Sequence, residues 1–426
     1  MRDRVRRLRF MHAAILIILL AGSVVMRIKM APEIGLSSDY ELYIKGWPME
    51  YRTLGFAQGM SQVIGDYYVP FNIMYALIGL SPWEPWVLAS LFSSVMDYAL
   101  AAAVYLLVTI LLKEERDHPE RARSGSERSD RALLLDGTDW DEWKAAYLAV
   151  LTLYLPVVFM NSALWKQCDV FYIFFAVLAL TQLYRAKDTS AFILLGISFS
   201  FKLQAIFFFP FFLLFLFLRR EKGLLKYLNF LWIPTMYLIT GLPAVILGRG
   251  IRATYGTYFM QMLEGTEGSE SYGMVANYPN FYNYGLDDFL GTLALPAAIV
   301  TMAVILLSIA LAAQVDDGYR LDLVTLTWLL AWQIWAMNMF LPSMHERYDY
   351  GAVLLFSLLL ALRPRESFVP ASVLTVGTLI TYVRSARELT VSMDILTAVY
   401  IAAFFWTTRI LVRMIRSAGS SEEKER

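Results

Sequence analysis

Carboxylates and cations in this chain stand out against apolar surroundings at a few places. In SSDYELY, Asp39 and Glu41 closely follow the first apolar run. An extended, alternating segment would aim both carboxylates the same way. A carboxylate there can take the proton from an attacking hydroxyl; a solvated loop charge is the plainer alternative. In LPSMHERYDY, His345, Glu346 and Arg347 come directly after an apolar helix. An imidazole beside a guanidinium suits proton transfer or phosphate binding, since arginine can grip two oxygens at once. A purely structural Glu346–Arg347 pair is the alternative. His345 is one of three histidines, and His12 and His118 sit in no comparable setting.

Other polar residues stand near the same boundary. In NSALWKQCD, Lys166 can meet a phosphate, and Asp169 can cap the next helix or hold a sugar hydroxyl. Lys202 and Gln204 are flanked by Phe201 and Phe207–Phe209, and a lysine in so apolar a stretch needs an anion or a route to water. Asp66, in IGDYYVP, is a second carboxylate for an acceptor or a cap for the helix after it. The stretch YGMVANYPNFYNYG brings Asn277, Asn280 and Tyr282 together with other aromatics, a composition suited to sugar rings or to a packed Ω-like loop.

The elements that must carry these residues are apolar. Of 426 residues, 58% are hydrophobic and 17% charged, whereas a soluble chain carries about a quarter charged residues. Runs such as Met11–Val25 and Val87–Leu112 have bilayer-crossing length. In lipid each backbone polar group must be satisfied within its own segment, so the expected fold is all-α, a polytopic bundle of membrane helices. The pattern gives about twelve spans, at 11–28, 86–112, 144–162, 169–184, 190–201, 203–218, 227–247, 290–313, 321–341, 349–362, 368–383 and 392–414. The fifth and sixth are short and read as truncated or re-entrant helices turning at Phe201–Gln204. Ile15–Val25 follows the basic MRDRVRRLRF as a signal peptide would, but no small-x-small site follows, and Arg27 and Lys29 fit a stop at the far interface. The expectation is a retained first helix.

With the N-terminus cytoplasmic, all 37 Lys and Arg divide 26 inside and 11 outside. Setting aside the seven within 113–144 leaves 19 against 11, and positive charge marks the cytoplasmic side. Both termini are then cytoplasmic, and 29–85, 248–289 and the turn at Met344–Tyr348 face outward. The chain divides into a first membrane helix (1–28), an outer loop with Asp39 (29–85), a core membrane module (86–247), a second outer loop (248–289), C-terminal helices with the His-Glu-Arg turn (290–414) and a cytoplasmic tail (415–426). Aromatics fill the first outer loop, and Ala57–Ile64 and Val69–Leu80 read as helices at the membrane surface. The charged HPERARSGSERSDR stretch within 113–143 reads as disordered and without chemistry. Lone Cys168 forms no intrachain disulfide and joins no metal-ligand cluster.

Six motifs in order, SSDYELYIKGW, IGDYYVPFNIMYAL, LWKQCDVFY, FSFKLQAIFFFPF, NYPNFYN and PSMHERYDY, resemble the GT-C superfamily of polyprenyl-phosphate-sugar-dependent glycosyltransferases. The likeness is to prokaryotic mannosyltransferase-like proteins related to the second GPI mannosyltransferase, and it runs over nearly the whole chain. It implies a plasma-membrane enzyme of a prokaryote that moves one sugar, by resemblance mannose, from a polyprenyl monophosphate. The acceptor is a hydroxyl on a glycan, lipid or protein outside the cell. It implies a catalytic acidic residue in the first outer loop, the place of Asp39, and cations on later loops for the donor phosphate, a role open to Lys202, His345 and Arg347. Where the family pattern has another aromatic after HERY, this chain has Asp349 after Tyr348.

Inverting transfer needs a base for the hydroxyl and preorganised positive charge for the leaving phosphate. Lys and Arg can supply that charge, so a metal-independent reaction without cofactors is expected, although Asp39 with Glu41 could hold a metal. No feature points to nucleic acid. Two other functions compete: a transporter or flippase of lipid-linked glycans, and a ligase or polymerase using a diphosphate carrier. Transporters commonly show internal repeats and broken helices meeting at mid-membrane. The halves here show no repeat, and the polar residues gather at the outer boundary.

Overall fold

Apolar helices make up nearly all the regular structure of the computed structural model, which describes residues 2–35, 39–117, 137–219, 223–264, 273–315, 321–387 and 391–419. The disorder expected at the HPERARSGSERSDR stretch, part of the second outer loop and the end of the tail lie outside those residues.

In chain order the helices are α1 (Arg2–Met30), α2 (Gly46–Leu54), α3 (Phe56–Ser61), α4 (Val69–Leu80), α5 (Pro85–Asp117), α6 (Gly137–Thr152), α7 (Pro156–Phe159), α8 (Asp169–Tyr184), α9 (Asp188–Phe201), α10 (Phe209–Leu218), α11 (Trp232–Ile246), α12 (Ile251–Tyr255), α13 (Thr257–Glu264), α14 (Leu290–Val315), α15 (Leu323–Phe340), α16 (Tyr350–Leu362), α17 (Pro364–Arg387) and α18 (Met393–Gly419). The only strands among the described residues are β1 (Val275–Ala276) and β2 (Met344–His345), paired in parallel.

Among the described residues, seven helical stretches are long and apolar enough to cross a membrane: Val5–Met30, Pro85–Asp117, Leu224–Ile246, Asp287–Gln314, Leu323–Phe340, Pro364–Ser385 and Met393–Ser417. A bent pair, Trp140–Thr152 with Pro156–Leu164, makes up to eight. The chain is therefore an all-α, integral membrane protein of several spans. Shorter apolar helices, Asp169–Tyr184, Asp188–Phe201, Leu203–Leu218 and Tyr350–Leu362, occupy the other segments of the sequence pattern. At 1.5 Å per residue a fourteen-residue helix such as α9 is about 21 Å long, less than the hydrocarbon thickness of about 30 Å.

At the centre stand α15, buried along nearly its whole length, and α16, with α8 beside them. Trp328 and Trp335 fill the space against Phe356 edge-on. Helices α1 and α14 keep apolar faces outward, with Ile18 and Leu307 each 69% exposed, as lipid contact requires. One end of the bundle is tied by charge. Glu114 accepts the backbone N–H of Leu323, Asp322 caps Thr325 at 2.6 Å, and Arg363 bridges Glu115 and Asp322.

The 29–85 loop corrects the expected local structure twice. Residues 40–45 form a π-helix rather than an extended strand, and helix continues through α2. The segment expected to be helical over Ala57–Ile64 is the shorter α3. Two residues along a helix are about half a turn apart, so Asp39 and Glu41 diverge. Arg27 was expected at the membrane interface; it is 4% exposed and bonds Asp97 Oδ2 at 2.8 Å. Ser162 donates to the same oxygen at 2.5 Å, and Arg27 also satisfies the carbonyl of Leu153 where the bent pair breaks.

Candidate functional site

The site forms where apolar helices break. Helix α9 stops at Phe201, Lys202 is extended (φ −152°, ψ 138°), and a 3-10 turn over Leu203–Phe208 leads into α10, whose first turn holds a proline. At the opposite end of this hairpin Arg219 pairs with Asp188 at 2.5 Å, closing its two arms. The handover into α8 uses Lys166 at φ 58°, a left-handed conformation costly for a side chain with Cβ. Ser343 (φ 56°) and Asn277 (φ 64°) hold the same conformation around the His-Glu-Arg turn. Strain of this kind persists where surrounding structure imposes it and is over-represented at functional sites.

These breaks bring four distant segments together. Asp169, fully buried, takes the amine of Lys202 on Oδ1 at 2.5 Å. Its Oδ2 accepts from Asn161 at 3.0 Å and lies 3.6 Å from Arg347 Nε. Arg347 Nη1 is 3.6 Å from Glu346 Oε1, and His345 Nδ1 is 4.0 Å from Glu346 Oε2. Aromatic faces close the sides. The Lys202 amine lies 5.7 Å from the Tyr67 ring centre and 5.6 Å from that of Tyr348, and Arg347 lies over Trp165. The 29–85 loop joins through Gln167, whose amide donates to Asp39 Oδ2 at 2.9 Å.

Burial shapes the protonation of the turn. It holds the His345 imidazole well below its usual range near 6.5, helped by the charges of Arg347 and Lys202. It pushes the Glu346 carboxyl up, with Arg347 pulling the other way and the charges of Asp39 and Asp169 adding to the rise. The Cys168 thiol is pushed up to about 11 by burial and is therefore a poor nucleophile. Among the described residues, Gln204 Oε1, Glu346 Oε2 and Arg347 Nε are buried without a hydrogen-bond partner.

Other residues expected at the site stand apart from this cluster. Glu41 is turned away, its exposed side chain paired with Lys45 at 2.8 Å. Lys166 gives its amine to the carbonyls of Glu33 and Leu164, and burial lowers that amine to about 8. Asp66 is exposed, and its carbonyl accepts from Gln261; Tyr68 occupies the N-cap position of α4, with no side-chain cap. Asn280 accepts the N–H of Tyr282, whose hydroxyl donates to the carbonyl of Phe340, so both tie their loop down. Asn277 is exposed and bridges to His345 through the backbone. His12 packs against Trp143 and bonds Tyr147, away from the cluster.

Asn161, Gln167, Tyr67 and Trp165 are the members that the sequence did not single out. Three of them lie within eight residues of Asp169, and that proximity was the available signal. Among the described residues no three of His, Cys, Asp and Glu form a metal site. Neither a scan against protein-family models nor a search of curated proteins finds a match for this chain.

Proposed function

We propose that this chain is an inverting glycosyltransferase of the GT-C kind, moving one hexose, mannose-like, from a polyprenyl monophosphate to an acceptor hydroxyl outside the cell. Twelve crossing or re-entrant segments with both termini cytoplasmic complete the reading. The observation that carries it is the Gln167 bond, which fastens the loop carboxylate Asp39 beside the buried Asp169–Lys202–Arg347 cluster.

In this reaction Asp39 takes the proton of the acceptor hydroxyl while its oxygen attacks the anomeric carbon. The bond from that carbon to the phosphate oxygen breaks with its electron pair going to phosphate, and the configuration inverts. Lys202 and Arg347 meet the growing negative charge. Asp169, itself held by Asn161, fixes the Lys202 amine through one of its three N–H donors. Preorganised cations in a dry site stabilise such a leaving group without reorganising at the moment of reaction. Burial raises the Glu346 carboxyl and so makes it easier to protonate, which lessens its repulsion of an incoming phosphate.

Arg347→Ala tests the phosphate assignment through equilibrium binding of a fluorescent polyprenyl monophosphate in nanodiscs. A charged hydrogen bond contributes about 1.5–3 kcal/mol, so affinity should fall roughly tenfold or more. Unchanged affinity would remove Arg347 from the donor site. Preference for a polyprenyl diphosphate would favour a ligase instead.

A further inference from the structure

Asp349 stands at the N-cap of α16, where an aspartate ordinarily accepts a backbone N–H from the first turn. Here its side chain makes no such bond. Instead Asp349 Oδ2 accepts the hydroxyl of Tyr278 at 3.1 Å, and both residues are buried. Burying a carboxylate is costly and giving up a cap adds to the cost, so the arrangement calls for something that the Tyr278 contact accomplishes.

Tyr278 belongs to the segment 273–284, which lies along the turn bearing His345, Glu346 and Arg347. Val275 is in register with Met344 and Ala276 with His345. The Ser343 N–H donates to the carbonyl of Met274 at 2.9 Å, and its hydroxyl donates to that of Gly273 at 2.8 Å. At one end the segment is anchored by Asp287, which accepts the Val275 N–H at 2.8 Å. Asn283 Nδ2 donates to the Tyr278 carbonyl at 2.8 Å and keeps the tyrosine in place. A two-residue ladder is too short to be stable alone. The buried Tyr278–Asp349 bond holds the middle of the segment, between that ladder and the bond of Tyr282 to the Phe340 carbonyl.

We propose that Asp349 is a positioning residue for Arg347: through Tyr278 it latches the 273–284 segment onto the His-Glu-Arg turn and so sets the guanidinium against Asp169. This rests on Arg347 being the donor-phosphate cation. The latch itself is a property of the fold and can be tested without any donor.

Hydrogen exchange read by mass spectrometry on peptides covering 273–284 and 341–349 tests it in the full-length protein. Tyr278→Phe and Asp349→Ala should speed exchange in both peptides at least tenfold, with helices α8 and α15 unchanged, and should weaken binding of polyprenyl monophosphate. Asp349→Asn keeps an oxygen for the Tyr278 hydroxyl and should exchange and bind as wild type does. Exchange unchanged in Tyr278→Phe, or Asp349→Asn behaving as Asp349→Ala does, would overturn the latch. If Asp349→Ala does not fold, Tyr278→Phe, which removes one oxygen and keeps the ring, carries the test. Faster exchange with unchanged donor binding would overturn the positioning of Arg347. A wild-type protein that binds no polyprenyl monophosphate would overturn the functional reading, while the exchange results would still decide the latch.

Discussion

Lys202 and Arg347 converge on one buried carboxylate, Asp169, and this sharing separates a structural role from a ligand role. Removing Lys202 alone leaves Asp169 without its closest cation, at a cost of about 3–5 kcal/mol. Lys202→Met should therefore be strongly destabilised, and Lys202→Met with Asp169→Asn should regain most of that stability while donor binding stays weak. Thermal unfolding measured beside donor binding checks this; donor binding restored in the double variant would make Lys202 a structural residue only. His345 gives a pH signature. Unfolded, its imidazole takes a proton near pH 6.5; folded, burial keeps it neutral well below that. The unfolded state thus binds more protons below about 6.5, and stability falls as the pH is lowered there, by up to about 1.4 kcal/mol per unit. His345→Gln should flatten the decline between pH 6.5 and 5 in thermal unfolding, and an unaltered slope would contradict the assignment. Asp39, Lys202 and Arg347 were legible in the sequence because charge in apolar surroundings is conspicuous. Gln167, Asn161 and the Tyr278–Asp349 pair were not, because an ordinary polar residue acquires meaning only through a partner far along the chain.

The breaks between helices do the positioning. Lys202 marked the turn of the α9–α10 hairpin in the sequence itself, since a lysine interrupting Phe-rich stretches has few other places to go. The first outer loop was less legible. Its alternation SSDYELY suggested extended chain, yet packing of Tyr40, Ile44 and Tyr51 into a second core of aromatic residues selects helix. Local alternation lost to burial there, and Glu41 turned outward as a result. Close packing of α2 on α4 holds this loop. A Cβ at Gly79 would come within 2.0 Å of the Pro48 carbonyl oxygen, and Arg52 satisfies the carbonyls of Gly79 and Ser81 where α4 ends. Gly79→Ala forces backbone apart and should cost about 1–3 kcal/mol. A thermal midpoint equal to that of wild type would show that α2 and α4 are not tightly fixed.

Across the whole molecule, membrane character and an all-α fold followed from composition and run length, the most robust sequence signals. Among the described residues seven helices are long enough to cross, or up to eight with the bent pair; the short helices meet this long-helix scaffold where charges gather. That the cluster faces outward is an expectation from the distribution of Lys and Arg between loops, a property of the chain as a whole. The central claim joins three elements: an outer-loop base, a buried cation pair and a lipid-linked donor. Its most direct test is transfer of radiolabelled sugar from a panel of synthetic polyprenyl-monophosphate donors, with purified wild-type protein and Asp39→Asn side by side, with and without EDTA. The account predicts turnover or donor hydrolysis by wild type that EDTA leaves unchanged and Asp39→Asn loses, with donor binding retained in the variant. Normal turnover by Asp39→Asn would contradict the base assignment, and a well-folded wild type inactive with every donor would contradict the reaction itself.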